Sequence, residues 1–253
     1  MQPPDSLALP WVPVLLYHRV LPLPPAHDPY GNCLSTASFA AQIRWLARRG
    51  YRSLPLSALD PNGPPIRRAL LPARPLIITF DDGYRDNLQY AWPILRRYRF
   101  TATIFLVSDT IGEYNCFDAA HGGTPAPMLS LPEIRSLANQ GVTFGSHSCS
   151  HPTSLVPLPD EVLRHELAHS RRTIEAAVDA PCRYFAYPHS QVDARVERFA
   201  ALAGYSLACA GIGTRWSPYR IHRVEPSQLG GAAVEVRMHW RRLKRLAHKA
   251  LPT

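Results

Sequence analysis

No run of about 18 apolar residues passes without a charge, so the sequence predicts no membrane-spanning helix. No basic stretch followed by an apolar one stands at the start, so no secretory signal is expected. No Cys-x-x-Cys pair occurs among the five cysteines, Cys33, Cys116, Cys149, Cys182 and Cys209. That odd, scattered set reads as free thiols in a reducing compartment, not as a disulfide frame. No internal repeat and no low-complexity linker divides the 253 residues, so one large domain is expected. Lysine is nearly absent as well. Only Lys244 and Lys249 occur, and arginine supplies the rest of the 28 basic residues.

What is present is globular. Hydrophobic residues make up 46% and charged residues 19%, enough apolar surface for a real core. The 26 prolines predict many stiff loops. The formal net charge is +9. Part of it lies in Arg237, Arg241, Arg242, Lys244, Arg245 and Lys249 near the end. A basic cluster suits either an anionic surface or a solvated helix face.

Apolar runs at Val12–Tyr17, Leu76–Phe80, Ala102–Val107, Val142–Gly145, Tyr184–Tyr187 and Ser206–Ala210 read as strands. Helical patterns lie between them, at Phe39–Arg49, Asn87–Tyr98, Ser130–Asn139, Asp160–Val178 and Val192–Ala203. Pro93 predicts a kink or a late start in the second of these. Ser130-x-x-Glu133 predicts a capping box on the third. The alternation argues for an α/β protein with a mainly parallel sheet, open or closed. Two long irregular stretches, Leu21–Asn32 and Asp109–Met128, are candidates for functional loops.

The sharpest motif is Thr79-Phe80-Asp81-Asp82-Gly83, two carboxylates at the end of an apolar strand. The carboxyl ends of parallel strands are where α/β active sites form. Adjacent carboxylates repel and need a cation or a shared proton. One as metal ligand and the other as general base would satisfy both; a plain Asp-Gly turn is the bland alternative. His147-Ser-Cys-Ser-His151 also follows a strand, and histidines four apart can converge on one metal. Chance supplies about half such a pair in this composition, so the weight comes from its placement. An Asp, two His and a water form the open set expected of hydrolytic zinc.

His165-Glu166-Leu167-Ala168-His169 is a literal HExxH, the metalloprotease signature. Its setting, with Arg164, Arg171 and Arg172, equally fits an exposed helix face. His18 ends the first apolar run and would face the same sheet edge as the Asp pair, or serve as a turn histidine. Tyr187-Pro188-His189 joins a strand to a turn that would aim a backbone N–H at an oxyanion.

Taken in order, Thr-Phe-Asp-Asp-Gly, His-Ser-x-x-His and Phe-Ala-Tyr-Pro resemble the polysaccharide deacetylase (NodB-homology) family of metal-dependent carbohydrate esterases. The resemblance spans about Val12 to Val224. It implies a distorted (β/α) barrel, with Asp81 as base and Asp82, His147 and His151 as ligands of a divalent metal, Zn²⁺ first. The family's late Leu-x-His motif is missing. Leu16-Tyr17-His18 fits the version in poly-N-acetylglucosamine deacetylases, where that motif stands near the N-terminus, which makes His18 the candidate acid. Tyr84, Tyr187 and His189 are the candidate oxyanion and substrate residues. The arginine that usually orients the base is replaced by Ala186, leaving Arg183 or Arg223 to substitute. The usual Pro-Tyr-Gly is Pro188-His189-Ser190.

The expected domains are an extension (1–11), a catalytic domain (12–228) and a basic amphipathic tail (229–253). The expected partners are an N-acetylated saccharide and, through Val236–Leu251, an anionic membrane; no nucleic acid is expected. The expected location is the cytoplasm or the cytoplasmic face of the membrane. Hydrolysis of a small non-sugar amide and a decayed carbohydrate-binding module are the alternatives.

Overall fold

The computed structural model describes residues 12–26, 28–63, 71–122, 124–211, 217–226 and 230–239. Eight strands form the main sheet. They are β1 (Val14–Tyr17), β4 (Tyr51–Ser53), β5 (Arg74–Phe80), β6 (Thr103–Leu106), β7 (Thr143–Ser146), β8 (Tyr184–Ala186), β9 (Leu207–Ala210) and β10 (Ile221–His222). A separate parallel pair joins β2 (Arg19–Leu21) to β3 (Cys33–Ser35). Among the described residues, besides a helical stretch at 231–239, the α-helices are α1 (Thr36–Arg48), α2 (Trp92–Arg97), α3 (Leu131–Asn139), α4 (Asp160–Val178) and α5 (Ala194–Leu202).

The order β1-β5-β6-β7-β8-β9-β10 is parallel at every pairing, with β4 added beside the start of β5. The last segment returns to the first. The Leu16 N–H donates to the Val224 carbonyl at 2.9 Å, and the Val224 N–H donates to the Val14 carbonyl at 2.7 Å. The sheet therefore closes into the distorted (β/α) barrel expected from the sequence. All the carboxyl ends open at one rim, and a closed parallel sheet must bury both faces. Accordingly β1, β6 and β9 are buried at every position.

The apolar runs marked these core strands to within about two residues. They missed β2, β3, β4 and β10, none longer than three residues, which is too short for a periodic pattern. The Asn87–Tyr98 stretch divides. Wide π-helical turns cover Asn87–Ala91, and α2 begins at Trp92 with Pro93 in its first turn, where a proline needs no N–H partner. Glu133 accepts from the Ser130 N–H at 3.0 Å and the Ser130 hydroxyl at 2.9 Å at the start of α3.

Of the expected tail, 229–253, the described part is 230–239. Residues 231–239 are helical, and Val234 and Met238 are buried in the main core. The Glu235 carboxylate accepts from Trp45 Nε1 (3.1 Å), Arg49 Nε (3.2 Å), Arg74 (3.2 Å) and the Tyr51 hydroxyl (3.4 Å). The apolar face assigned to Trp240, Leu243, Ala247 and Ala250 lies outside the described residues. Among the described residues, no helix is long and apolar enough to cross a membrane.

Gly145 in β7 shows how tightly the barrel is filled. A Cβ there would meet the Phe105 ring at 2.6 Å and the Tyr184 carbonyl oxygen at 2.8 Å. Backbone on one side and a fully buried ring on the other leave no room to yield. Gly145→Ala is expected to destabilise the fold by about 1–3 kcal/mol, as overpacked cores do, read as a lower midpoint in urea unfolding.

Candidate metal centre and its acid–base partners

The two carboxylates at the end of β5 are separated by the backbone. Asp81 continues the strand, its N–H donating to the Tyr17 carbonyl at the end of β1 (3.0 Å). Asp82 turns into the left-handed region at φ 75°, and Gly83 follows at φ 88°. Gly83 is needed there twice over, because its Cβ would also strike Leu106 Cδ2 at 2.7 Å. The turn sends the two side chains to different partners, which resolves the repulsion posed by the sequence.

Asp81 meets Arg223. Guanidinium nitrogens donate to Oδ1 at 2.6 Å and Oδ2 at 2.7 Å, a bidentate pair. Asp81 is 3% exposed and Arg223 2%, so the pair is dry. Arg223 also donates to the Ala210 carbonyl (3.2 Å) and Thr79 Oγ1 (3.3 Å). Burial alone would raise the Asp81 pKa, but Arg223 and then His147 outweigh it and hold the carboxyl below its ordinary value. Asp81 is therefore ionised at neutral pH.

Asp82 meets the histidines. Its Oδ1 lies 3.3 Å from His147 Nε2 and 3.5 Å from His151 Nε2. One donor atom from each of the three buried residues falls within a 4.8 Å group. Burial opposes ionisation of Asp82, and its hydrogen bond to His147 and the nearby His151 overcome it, lowering its pKa. His147 Nδ1 sits 2.8 Å from the Ala186 carbonyl, which can only accept, so that nitrogen carries the proton. Nε2 is then the atom turned toward Asp82, as in a metal-ligating histidine whose far nitrogen is anchored. Burial pushes His151 down to about 3, which keeps its ring neutral. Burial also works against a charged His147, but Asp81 and Asp82 raise it, a preference for positive charge that a divalent cation would satisfy instead. One carboxylate oxygen and two imidazole nitrogens grouped this closely form a donor set of the kind that can hold a divalent cation.

The remaining candidates divide. His18, half-buried at the end of β1, lies close enough to both Asp81 and Asp82 to lower their pKa values. Asn87 Nδ2 donates to the His18 carbonyl at 2.7 Å and holds that strand end. The His189 ring is exposed and sits 4.8 Å from the His151 ring, at the cleft wall. His189 and Ser190 adopt φ 49° and 60°, so this chain makes the turn without the usual glycine. Tyr187 is a correction. Its ring is fully buried in the core, and its hydroxyl donates to the Tyr219 carbonyl at 3.0 Å, so the side chain faces no cleft. Tyr84 is buried too and donates to Asp118 at 2.6 Å, bracing a wall instead of offering a hydroxyl. Arg183 is exposed, just before β8 and away from the carboxyl rim; of the two candidate arginines it is Arg223 that pairs with Asp81.

Both long irregular stretches reach the site. The Phe117 ring packs 4.4 Å from the His151 ring, and the Tyr30 ring lies 6.1 Å from His189. The sequence marked the stretches but gave no signal for these two residues.

Arg223→Met leaves a buried carboxylate without its cation and is expected to cost about 3–5 kcal/mol at neutral pH. In the unaltered chain the depressed Asp81 contributes stability that is complete above the unfolded carboxylate pKa of about 3.9 and is lost only on acidification below it. In the variant burial is opposed only by the nearby histidines, so Asp81 loses its largest counter-charge and its pKa rises; the deficit is largest at neutral pH and shrinks as acid protonates it. Urea unfolding of both chains from pH 7 down to pH 4 reads this directly; a deficit independent of pH contradicts the pairing.

The sequence profile of the polysaccharide deacetylase family matches residues 70–208, just over half of the chain. The Bacillus subtilis (strain 168) protein YxkH, whose name assigns it provisionally to polysaccharide deacetylation, is 27% identical over 226 residues, covering 85% of this chain and 71% of its own. A Staphylococcus aureus poly-β-1,6-N-acetyl-D-glucosamine N-deacetylase is 22% identical over 203 residues, 76% of this chain and 67% of its own. In overall fold the chain resembles a de-N-acetylase from Aggregatibacter actinomycetemcomitans, with a TM-score of 0.75 at 18% identity, covering 90% of this chain and 99% of the other. The profile match carries the strands β5 to β8 and the start of β9 together with Asp81, Asp82, His147 and His151, and on it the chain belongs to the polysaccharide deacetylase family.

Proposed function

We propose that this cleft hydrolyses the N-acetyl group of an amino sugar within a saccharide, using a divalent metal. The observation that carries the reading is the division of labour at the β5 end. One carboxylate is locked to Arg223 and ionised, and its neighbour shares a point with two imidazoles. The Staphylococcus aureus relative, named for poly-N-acetylglucosamine, supports the substrate class.

Asp82, His147 and His151 would hold the ion, which when bound polarises a carbonyl and lowers the pKa of a water. Asp81 takes the proton of the attacking water. Its Oδ2 lies 3.9 Å from His147 Nε2 and so borders the ligand group. Arg223 keeps that carboxylate ionised and fixed in direction. His18 gives a proton to the nitrogen as the carbon–nitrogen bond breaks, releasing acetate and a free amine. His189, beside His151 at the cleft wall, would face the acyl oxygen. Phe117 and Tyr30 offer ring faces to a sugar.

The test is metal content beside acetate release from N-acetylglucosamine oligomers. Asp82→Ala is expected to lose both. Asp81→Asn is expected to keep the metal and lose about 10²–10⁴ in turnover, the usual contribution of a general base. His18→Gln should also keep the metal and lose turnover. Near-normal activity of Asp81→Asn would refute the assignment.

We further propose that the basic residues from Arg241 to Lys249 rest on an anionic membrane. Binding to phosphatidylglycerol vesicles should then be weakened by salt and lost when residues 240–253 are removed, while the docked helix 231–239 is kept. Vesicle binding that is unchanged by this truncation would refute that contact.

A further inference from the structure

The HExxH on α4 is absorbed by neither the ligand group nor the acid–base pair. His165 and His169 are exposed, their rings stacked 4.9 Å apart at 10°. Glu166 between them turns the other way and is 6% exposed. Its carboxylate grips the loop that carries the two histidine ligands. Oε2 accepts from the Cys149 N–H at 2.8 Å and the Ser150 N–H at 3.1 Å, and Oε1 accepts from the Ser150 hydroxyl at 2.6 Å.

That loop needs holding. Between His147 and His151 the backbone enters the left-handed region at Ser148 (φ 70°), and His151 itself sits there at φ 57°. Such residues stay strained only where their surroundings over-determine them. Local bonds supply part of the restraint, from the Ser148 N–H to Ser146 Oγ (3.2 Å) and from the His151 N–H to Ser148 Oγ (3.1 Å). The rest comes from α4. Besides the three bonds to Glu166, the Ser146 and Ser170 hydroxyls pair at 2.8 Å, and Cys149 Sγ donates to the Glu166 carbonyl at 3.5 Å. Two successive buried turns of one helix thus clamp the whole ligand loop, with the Glu166 carboxylate satisfying two adjacent N–H groups at its midpoint.

We propose that Glu166 is a positioning residue. It sets the separation of His147 and His151 by fixing the loop between them, and so governs the affinity of the site for a divalent cation. This rests on the metal-dependent reading above. Glu166 neither ligates nor exchanges a proton with substrate, and the two histidines of the HExxH take no part.

The test is zinc affinity of the full chain, by competition with a chromophoric chelator, together with melting of the metal-free and zinc-loaded protein. Glu166→Ala should weaken zinc binding by about 10–100-fold, the range seen when a group orienting a ligand is lost. It should shrink the zinc-induced rise in melting temperature as well as lowering the metal-free value. Glu166→Gln should recover most of the affinity, since an amide oxygen still accepts the two N–H groups. Ser150→Ala, which removes one bond and leaves the helix intact, should weaken zinc to a smaller extent. It also serves as the deciding variant if Glu166→Ala does not fold. His165→Ala and His169→Ala should bind zinc as the unaltered chain does. Full zinc affinity in folded Glu166→Ala, or in Ser150→Ala when the former does not fold, overturns the proposal. So does zinc lost with His165. An unaltered chain that takes up no zinc, cobalt or manganese overturns the metal-dependent reading itself, a result distinct from equal affinity across the variants.

Discussion

Everything at the rim depends on one dry ion pair. A carboxylate at 3% exposure is tolerable only with its charge answered, and Arg223 answers Asp81 with two bonds. The partner comes from 142 residues away in the chain. It arrives because the neighbouring Val224 pairs with β1 and closes the barrel. Closure and the buried ion pair are therefore one event: the strand that removes the sheet's open edge also delivers the guanidinium. With Asp81 satisfied in this way, Asp82 is left to the histidines, and two adjacent acids stand in two different environments.

The same economy appears in the backbone. Asp82, Ser148, His151, His189 and Ser190 all have positive φ without being glycine, and all lie at this rim. Each such residue costs of order 1 kcal/mol or more. The strain is held in place by contacts from the helices and from neighbouring strand ends, such as the Leu106 carbonyl that accepts from the His147 N–H at 2.8 Å. The scaffold is regular along its strands and distorted at the rim that follows them.

Much of this was legible in the residues, and what was not has physical causes. The core strands announced themselves as apolar runs, because a closed parallel sheet hides both faces. The Asp pair and the two histidines were readable because each follows such a run, so their common rim followed from the fold class. Tyr187 was misread because a strand-end position does not say which way a side chain turns; its ring went into the core. Arg223 could be named only beside Arg183, since nothing in a linear pattern says which arginine a closing strand will bring home. The HExxH was legible as letters and misleading as chemistry. Its glutamate is the buried member and its histidines the exposed ones, the reverse of a set that would bind metal through its histidines. Phe117 and Tyr30 lay in stretches marked only by their irregularity.

The all-parallel order has a consequence in time. Asp82, His147 and His151 come from the ends of β5 and β7, joined through β6, so the middle of the chain can assemble the ligand group. Asp81 cannot be buried at low cost until residues 221–224 dock against β1. In a chain made from its N-terminus, the last strand comes late, and its contacts span the greatest loop. The Asp82–His147–His151 group and the Asp81–Arg223 pair thus form at different stages of synthesis, the pair waiting for the strand that closes the barrel.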